Sequence, residues 1–125
     1  MIGRRPPGPV LIVDDNDETR VLLTQILSIR GYEAIGATDG LDALAWLRSG
    51  GRPSVIVLDM RMPNMDGSAL QRALKADPRW ESIPIIVYSA FPPERPGDVL
   101  AVLRKATTSP DTLLALIGSA ARHAC

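Results

Sequence analysis

At 125 residues the chain suffices for one domain that buries roughly two-thirds of its unfolded surface, and 46% hydrophobic and 22% charged residues are typical of a soluble globular protein. Its 14 basic and 14 acidic residues cancel, which argues against nucleic acid as a partner, and no apolar stretch fits a membrane span or a signal peptide. One histidine, His123, and one cysteine, Cys125, exclude a Cys/His metal site, a Ser-His or Cys-His nucleophile and an intrachain disulfide. A reducing compartment, the cytoplasm, is expected.

The first nine residues differ in composition from the rest. Residues 1–9 contain three prolines, two glycines and two arginines, which bury little surface and predict a flexible tail. Residues 10–125 form the predicted domain. It opens with Val10–Val13, an apolar run without polar alternation, which predicts a strand buried on both faces.

Helical spacing of apolar residues predicts three helices in the first two-thirds of the chain. Polar residues at their N-termini serve as caps, namely Asn16 or Asp17, then Asp39, then Asp66. Apolar stripes are expected to face the sheet at Leu22, Ile26 and Ile29 with Leu23 and Leu27 beside them, at Leu41, Leu44 and Leu47, and at Leu70, Ala73 and Leu74. The helices end at Gly31, at Gly50 and Gly51, and before Pro78.

Four more strands are predicted, at residues 33–37, Val55–Leu58, 83–88 and 99–103. Three prolines between the last two of them, Pro92, Pro93 and Pro96, exclude a helix interior, so a helix there is absent or reduced to a turn. Pro110 opens a final helix with Leu113, Ile117 and Ala120 inward. Alternating strands and helices predict an α/β fold with a parallel sheet covered on both faces.

Acidic residues follow two of the buried strands. Asp14 and Asp15 come after Val10–Val13, and Asp59 comes after Val55–Leu58. In open α/β sheets the carboxyl ends of the strands meet at one edge, where sites are built, so three carboxylates are expected together. Asp14 and Asp15 are also compatible with a simple helix start, whereas a helix cap does not fit Asp59, which precedes Met-Arg-Met-Pro.

With Ser89–Ala90 after the fourth predicted strand and Lys105 after the fifth, these residues give the chain a resemblance to a known family. The chain resembles the receiver domains of two-component response regulators over about residues 10–124, and the motif DMRMPNMDG that begins at Asp59 is the most specific part. The resemblance implies a doubly wound, flavodoxin-like sheet of five parallel strands in the order 2-1-3-4-5, with the site at its switch point.

The resemblance also implies a role for each site residue. Asp59 is the expected phosphoryl acceptor, while the Lys105 ammonium and the Ser89 hydroxyl contact the phosphoryl oxygens. Mg²⁺, a hard cation that takes oxygen ligands, is the expected cofactor because it offsets the repulsion between carboxylate and phosphoryl group. Its expected ligands are Asp14, Asp15, Asp59 and the backbone carbonyl of Arg61.

Two positions depart from the family pattern. Val102 stands where receivers commonly have Tyr or Phe, whose ring turns inward on activation, so this relay is not expected. Ala106 replaces the proline that usually follows Lys105, and a trans peptide bond is expected there because a non-proline cis bond costs about 3 kcal/mol.

The leading hypothesis is a stand-alone, chemotaxis-type receiver that acts as a switch. It would take a phosphoryl group from the phosphohistidine of a sensor histidine kinase or a histidine phosphotransfer protein, with only self-directed phosphoryl chemistry and no external substrate. The alternative is a degenerate receiver that binds a partner protein independently of phosphorylation. A hydrolase of the haloacid dehalogenase type, built on Asp15 and Asp17, fails on length and leaves the Asp59 motif unexplained.

Overall fold

The computed structural model describes residues 8–122, which contain five strands and four helices that alternate as far as β4. In chain order they are β1 (Val10–Val13), α1 (Asp17–Ile29), β2 (Ala34–Ala37), α2 (Gly40–Arg48), β3 (Val55–Leu58), α3 (Gly67–Lys75), β4 (Ile85–Ser89), β5 (Ala101–Arg104) and α4 (Pro110–Arg122). His123, Cys125 and residues 1–7 of the predicted tail lie outside the described residues. Of that tail, Gly8 and Pro9 accept hydrogen bonds from Ser54 at 2.8 and 2.9 Å.

The strands form one sheet in the order β2-β1-β3-β4-β5, with every neighbouring pair parallel. This arrangement confirms the predicted doubly wound sheet. β4 and β5 each begin two residues later than expected, at Ile85 and Ala101. Among residues 8–122, none of the helices is long and apolar enough to span a bilayer.

Both faces of the sheet are covered, because the central strands carry apolar residues at every position. On one face Leu11 and Ile56 pack with residues of α2 and α3, such as Leu44 and Leu70. On the other face the same strands contact α1 and α4, through residues that include Ile12, Val57, Leu27 and Ile117. A run of this kind has no exposed face, which fits central parallel strands.

The apolar stripe of α1 is rotated from the expected one. Leu23 is 3% exposed and Leu27 is fully buried, whereas Leu22 is 51% and Ile29 85% exposed. The expectation that Leu22 and Ile29 face the core was therefore wrong. Apolar residues lie on both sides of the helix, so their spacing alone does not set its rotation. In α2 the same holds for Leu41, which is exposed.

Polar caps begin the first three helices. The side chain of Asn16, rather than that of Asp17, accepts the Thr19 N–H, and those of Asp39 and Asp66 cap α2 and α3. Each cap satisfies a backbone donor that has no partner within the helix. These caps fix where each helix starts relative to the carboxyl edge of the sheet.

No helix forms between β4 and β5 in the described chain, as the three prolines predicted. The loop that replaces it is bound to α3, because the Gln71 side chain donates to Pro96 O at 2.6 Å and Lys75 lies 3.3 Å from the Asp98 carboxylate. Gly97 has a φ of +77°, which favours glycine. The loop leaves Val102 37% exposed at the sheet edge.

Paired substitutions in α1 test the rotation of this helix. Leu23→Ala should lower the free energy of unfolding by about 2–4 kcal/mol, because it leaves a cavity in the core. Leu22→Ala, one position away and exposed, should change it by less than about 0.5 kcal/mol. Urea denaturation of both variants measures the difference, and equal losses would contradict the structure.

Candidate functional site

Three carboxylates meet at the carboxyl edge of the sheet. The backbones of Asp14 and Asp59 continue the sheet beyond β1 and β3, since their N–H groups donate to Ala37 O at 3.0 Å and Val13 O at 2.9 Å. Carboxylate oxygens of Asp14, Asp15 and Asp59 lie within 4.8 Å of one another. Asp14 and Asp59 are buried, and Asp15 is exposed. The predicted cluster is thus present, with its two buried members on rigid backbone.

Lys105 lies against this cluster. The backbone N–H of Lys105 donates to Ser89 O at 2.9 Å, which fixes the end of β5 to the end of β4. Its Nζ lies 2.7 Å from Asp14 Oδ2 and 3.7 Å from Asp59 Oδ2. The ammonium is therefore within reach of both buried carboxylates and is hydrogen-bonded to Asp14.

The environment of Asp14 is unfavourable for a bare charge. Burial raises the pKa of Asp14, and the nearby charge of Asp59 adds to the rise. Hydrogen bonds from Lys105 and from the Asn16 N–H lower the pKa of Asp14, but the net direction is upward. Buried carboxylates this close together stabilise a bound cation, because the cation removes their mutual repulsion.

The loop after β3 closes tightly around Asp59. One of its carboxylate oxygens, Oδ1, accepts the Met60 N–H at 2.8 Å, and Oδ2 faces Lys105. The Gly67 N–H donates to Met60 O at 2.9 Å, and a Cβ at Gly67 would lie 2.3 Å from Asp59 O. A side chain at that position would collide with the backbone of the acceptor residue. Gly67 is thus needed for the loop to close.

Ser89 is buried at the end of β4. Its Oγ accepts the Phe91 N–H at 3.2 Å, an interaction that uses an oxygen lone pair and leaves the hydroxyl proton available for donation. The exposed Arg61 side chain stacks on Phe91, with its guanidinium carbon 4.2 Å from the ring centroid. This contact joins the loop after β3 to the loop after β4, and nothing in the sequence pattern indicated it.

A second contact missed from sequence anchors the β3–α3 loop to α2. The Asn64 amide donates to Asp39 Oδ2 at 2.8 Å, and the Gly40 N–H donates to Met65 O at 3.0 Å. Asn64 has a φ of 63°, a left-handed conformation that Asn tolerates better than most residues. Asp39, expected only as a cap, therefore also holds the loop that carries the site.

The donor set fits Mg²⁺. This ion takes oxygen ligands in a near-octahedral arrangement and usually keeps several waters, so a few carboxylates with one side open to solvent suit it. Asp14, Asp15 and Asp59 supply hard oxygen donors, and the exposed Asp15 marks the open side. The nearby methionine thioethers suit soft ions instead.

A doubly wound parallel sheet with an acidic triad and a lysine at its switch point defines a class of phosphoryl-handling signalling domains. The family model of the response regulator receiver domain matches residues 10–104. The chain belongs to this family, and it is a receiver domain of two-component signalling.

The described residues contain no cis peptide bond, so the Lys105–Ala106 bond is trans as expected.

Curated relatives of this chain include response regulators. Over 85 residues the chain is 35% identical to the polar-differentiation response regulator DivK of Brucella anthropi, a match that covers 68% of each chain. It is 40% identical over 82 residues to the response regulator PleD of Caulobacter vibrioides, covering 66% of this chain but only 18% of PleD. The chain thus corresponds to a small part of that longer relative.

Solved receiver structures share the fold. The receiver domain of a signal transduction histidine kinase from Syntrophus aciditrophicus superimposes with a TM-score of 0.82 at 29% identity, covering 92% of this chain and 90% of that one. The response regulator TrrA of Thermotoga maritima, solved in complex with Mg²⁺-BeF, gives a TM-score of 0.78 at 25% identity over 90% of this chain and 98% of TrrA.

The Asn64–Asp39 contact predicts a pH-dependent stability. The hydrogen bond from Asn64 holds the pKa of Asp39 below its usual value, with a further contribution from the Asp42 N–H. A pKa that is lower in the folded than in the unfolded state stabilises the fold at pH values above the unfolded-state pKa of about 4. This contribution is lost as the pH falls through the folded-state pKa. Asn64→Gly should lower the unfolding free energy by about 1 kcal/mol at pH 7 and by less below about pH 4.

Denaturation curves of the wild type and Asn64→Gly across pH measure this effect, and glycine keeps the positive φ accessible. Asn64→Ala should add a further loss of about 1 kcal/mol that does not depend on pH, because alanine is strained at this φ. A loss in Asn64→Gly that stays constant from pH 7 to pH 3 would contradict the interpretation.

Proposed function

We propose that the protein accepts a phosphoryl group on Asp59 from the phosphohistidine of a sensor histidine kinase or a histidine phosphotransfer protein, and converts it into a surface change. The observation that carries this proposal is the Asp59 carboxylate, buried at a strand end beside two other carboxylates, with Lys105 Nζ at 3.7 Å. The proposed exchange takes place in the cytoplasm, the reducing compartment expected from the cysteine content.

The two oxygens of Asp59 have different roles in this reaction. Oδ1 accepts the Met60 N–H, so Oδ2, which faces Lys105, is the proposed nucleophile. It would form a bond to phosphorus while the P–N bond of the donor phosphohistidine breaks, and the imidazole nitrogen would keep the electron pair and take a proton from solvent. Water attack on the resulting acyl phosphate would return the free carboxylate and inorganic phosphate.

Mg²⁺, held by Asp14, Asp15, Asp59 and the Arg61 carbonyl, would supply charge neutralisation as the two anions meet. The Mg²⁺-BeF complex of TrrA supports this assignment. Lys105, hydrogen-bonded to Asp14 in the unphosphorylated protein, would turn to a phosphoryl oxygen, which its flexible stem allows. The available proton of Ser89 would donate to another oxygen, with a shift of the loop that holds Phe91.

The alternative, a receiver that binds its partner without phosphorylation, rests on Val102, on Ala106 and on the missing helix. Val102 is partly exposed at the sheet edge and has no ring to move inward. The intact acidic cluster and its lysine favour the phosphoryl-accepting function, because a pure binding module has no need of buried like charges that cost free energy.

Substitution of the acceptor tests the proposal directly. After incubation with Mg²⁺ and a small phosphoryl donor such as acetyl phosphate, the intact mass of the wild type should rise by one phosphoryl group. Asp59→Asn should show no gain, since the amide is not a nucleophile toward phosphorus. Asp66→Asn is the matched control, because Asp66 lies in the same loop and asparagine also caps helices.

An unchanged wild-type mass, with Mg²⁺ demonstrably bound, would contradict phosphoryl transfer and favour the binding-module function. Labelling of Asp59→Asn equal to that of the wild type would show that the acceptor lies elsewhere.

The two lysines of the chain form a second matched pair. Lys105→Met should slow phosphorylation at least tenfold and lower the unfolding free energy by about 2 kcal/mol in the absence of Mg²⁺, because it leaves the buried Asp14 without its counter-charge. Lys75→Met removes only exposed contacts, the pair with Asp98 and a hydrogen bond to Glu81 O at 3.0 Å, so it should cost less than about 1 kcal/mol and leave phosphorylation unchanged.

Adding MgCl₂ should stabilise Lys105→Met more than the wild type, as measured by thermal unfolding with and without the salt. The physical reason is that a bound cation replaces the missing ammonium beside Asp14. An equal Mg²⁺ effect on both proteins would contradict the role given to Lys105.

A further inference from the structure

Arg20, on the first turns of α1, has contacts that point beyond helix packing. Its Nη1 donates to the backbone carbonyl of Asp14 at 2.8 Å. Its Nη2 binds the carboxylate of Asp17. One guanidinium thus bridges the two ends of the loop 14–17, which presents Asp15 to the metal-binding cluster. The Arg20 side chain is only 18% exposed, which is low for an arginine.

The Asp14 carbonyl lies where the sheet ladder stops. The Asp14 N–H still pairs with Ala37 O, the last residue of β2, but β2 has no further residue to donate to the carbonyl. Arg20 takes the place of that missing donor. Together with the bonds from Asn16 N–H and Lys105 to the Asp14 carboxylate, it fixes this residue at both its backbone and its side chain.

Gly36 in β2 provides the room for Arg20. A Cβ at Gly36 would lie 3.0 Å from the Arg20 Cδ and 3.1 Å from its Cγ, so any larger residue would push the arginine stem away. The glycine is exposed and its φ is not in the left-handed region, so backbone conformation does not require it. The packing of the arginine stem explains why glycine stands there.

We propose that Arg20 is a positioning residue that holds the loop 14–17 so that Asp14 and Asp15 bind Mg²⁺ together with Asp59. The inference rests on the proposed function for the identity of the metal, but it concerns binding of the metal alone. Residues that orient metal ligands without touching the metal commonly affect affinity by about ten- to a hundredfold. The guanidinium suits this role because its planar fork donates in two directions at once.

A positioning role of Arg20 and a purely electrostatic role predict opposite changes in Mg²⁺ affinity when Arg20 is replaced. Removing a cation next to an acidic site should tighten Mg²⁺ binding if only Coulomb attraction mattered. If Arg20 holds the loop, Arg20→Met should instead weaken Mg²⁺ binding about tenfold. Arg20→Lys keeps the charge but not the fork, so it should also bind Mg²⁺ more weakly than the wild type, with a smaller loss than Arg20→Met.

Titration of ¹⁵N-labelled protein with MgCl₂, followed by NMR, gives the Mg²⁺ dissociation constant and shows in the same spectra that each variant is folded. Arg79→Met is the matched control, because Arg79 also pairs with a nearby aspartate but lies after α3, at the other end of the sheet. It should bind Mg²⁺ as the wild type does. Gly36→Ala, which keeps the arginine but displaces it, should weaken Mg²⁺ binding and add little in the Arg20→Met background.

Wild-type or tighter Mg²⁺ affinity in a folded Arg20→Met would overturn the proposal, and so would a loss of stability without a change in affinity. The same holds if the wild type binds no Mg²⁺, or if Arg79→Met loses as much affinity. Should Arg20→Met not fold, Arg20→Lys and Gly36→Ala decide by the same criteria. A wild type whose Mg²⁺ affinity depends on Arg20 but that gains no phosphoryl mass would overturn the proposed function and leave this inference standing.

Discussion

Mutual repulsion of the carboxylates of Asp14, Asp15 and Asp59 is the constraint on which the structure of the site depends. Like charges within 4.8 Å separate unless the backbone prevents it, and here the two buried ones follow directly from adjacent strands. The hydrogen bonds that extend β1 and β3 by one residue keep the backbone in place. Lys105, which follows the edge strand β5, offsets part of this negative charge. The remaining negative charge favours binding of a cation.

Much of the fold follows from the sequence because the central strands are apolar at every position. Only a sheet covered on both faces buries such runs, and glycine, proline and capping residues mark where the helices begin and end. The rotation of α1 was not predictable in this way, since Leu22 and Leu23 are equally apolar and differ only in what the tertiary structure places opposite them. The spacing of apolar residues predicts that α1 is a helix, but tertiary packing determines which of its faces is buried.

The site likewise contains residues that the sequence predicts and contacts that it does not. Asp59, its acidic neighbours and Lys105 follow strand ends, so sequence order and topology bring them together. Contacts between loops, such as Asn64 with Asp39 and Arg61 with Phe91, depend on side-chain directions that no local pattern encodes. Arg20 carries a weak sequence signal, because it is the single basic residue of α1 and follows Asp17 and Glu18, the two acids that begin the helix.

The proline-rich loop between β4 and β5 also affects the cooperativity of folding. β5 is an edge strand with β4 as its single neighbour, and on one face it has an irregular segment in place of a helix. Segments with few buried contacts open at a lower free energy than the rest of a domain. Lys105 lies at the end of this strand, so each local opening of β5 withdraws the ammonium from Asp14. The charge balance of the acidic cluster is therefore coupled to the local stability of this edge strand.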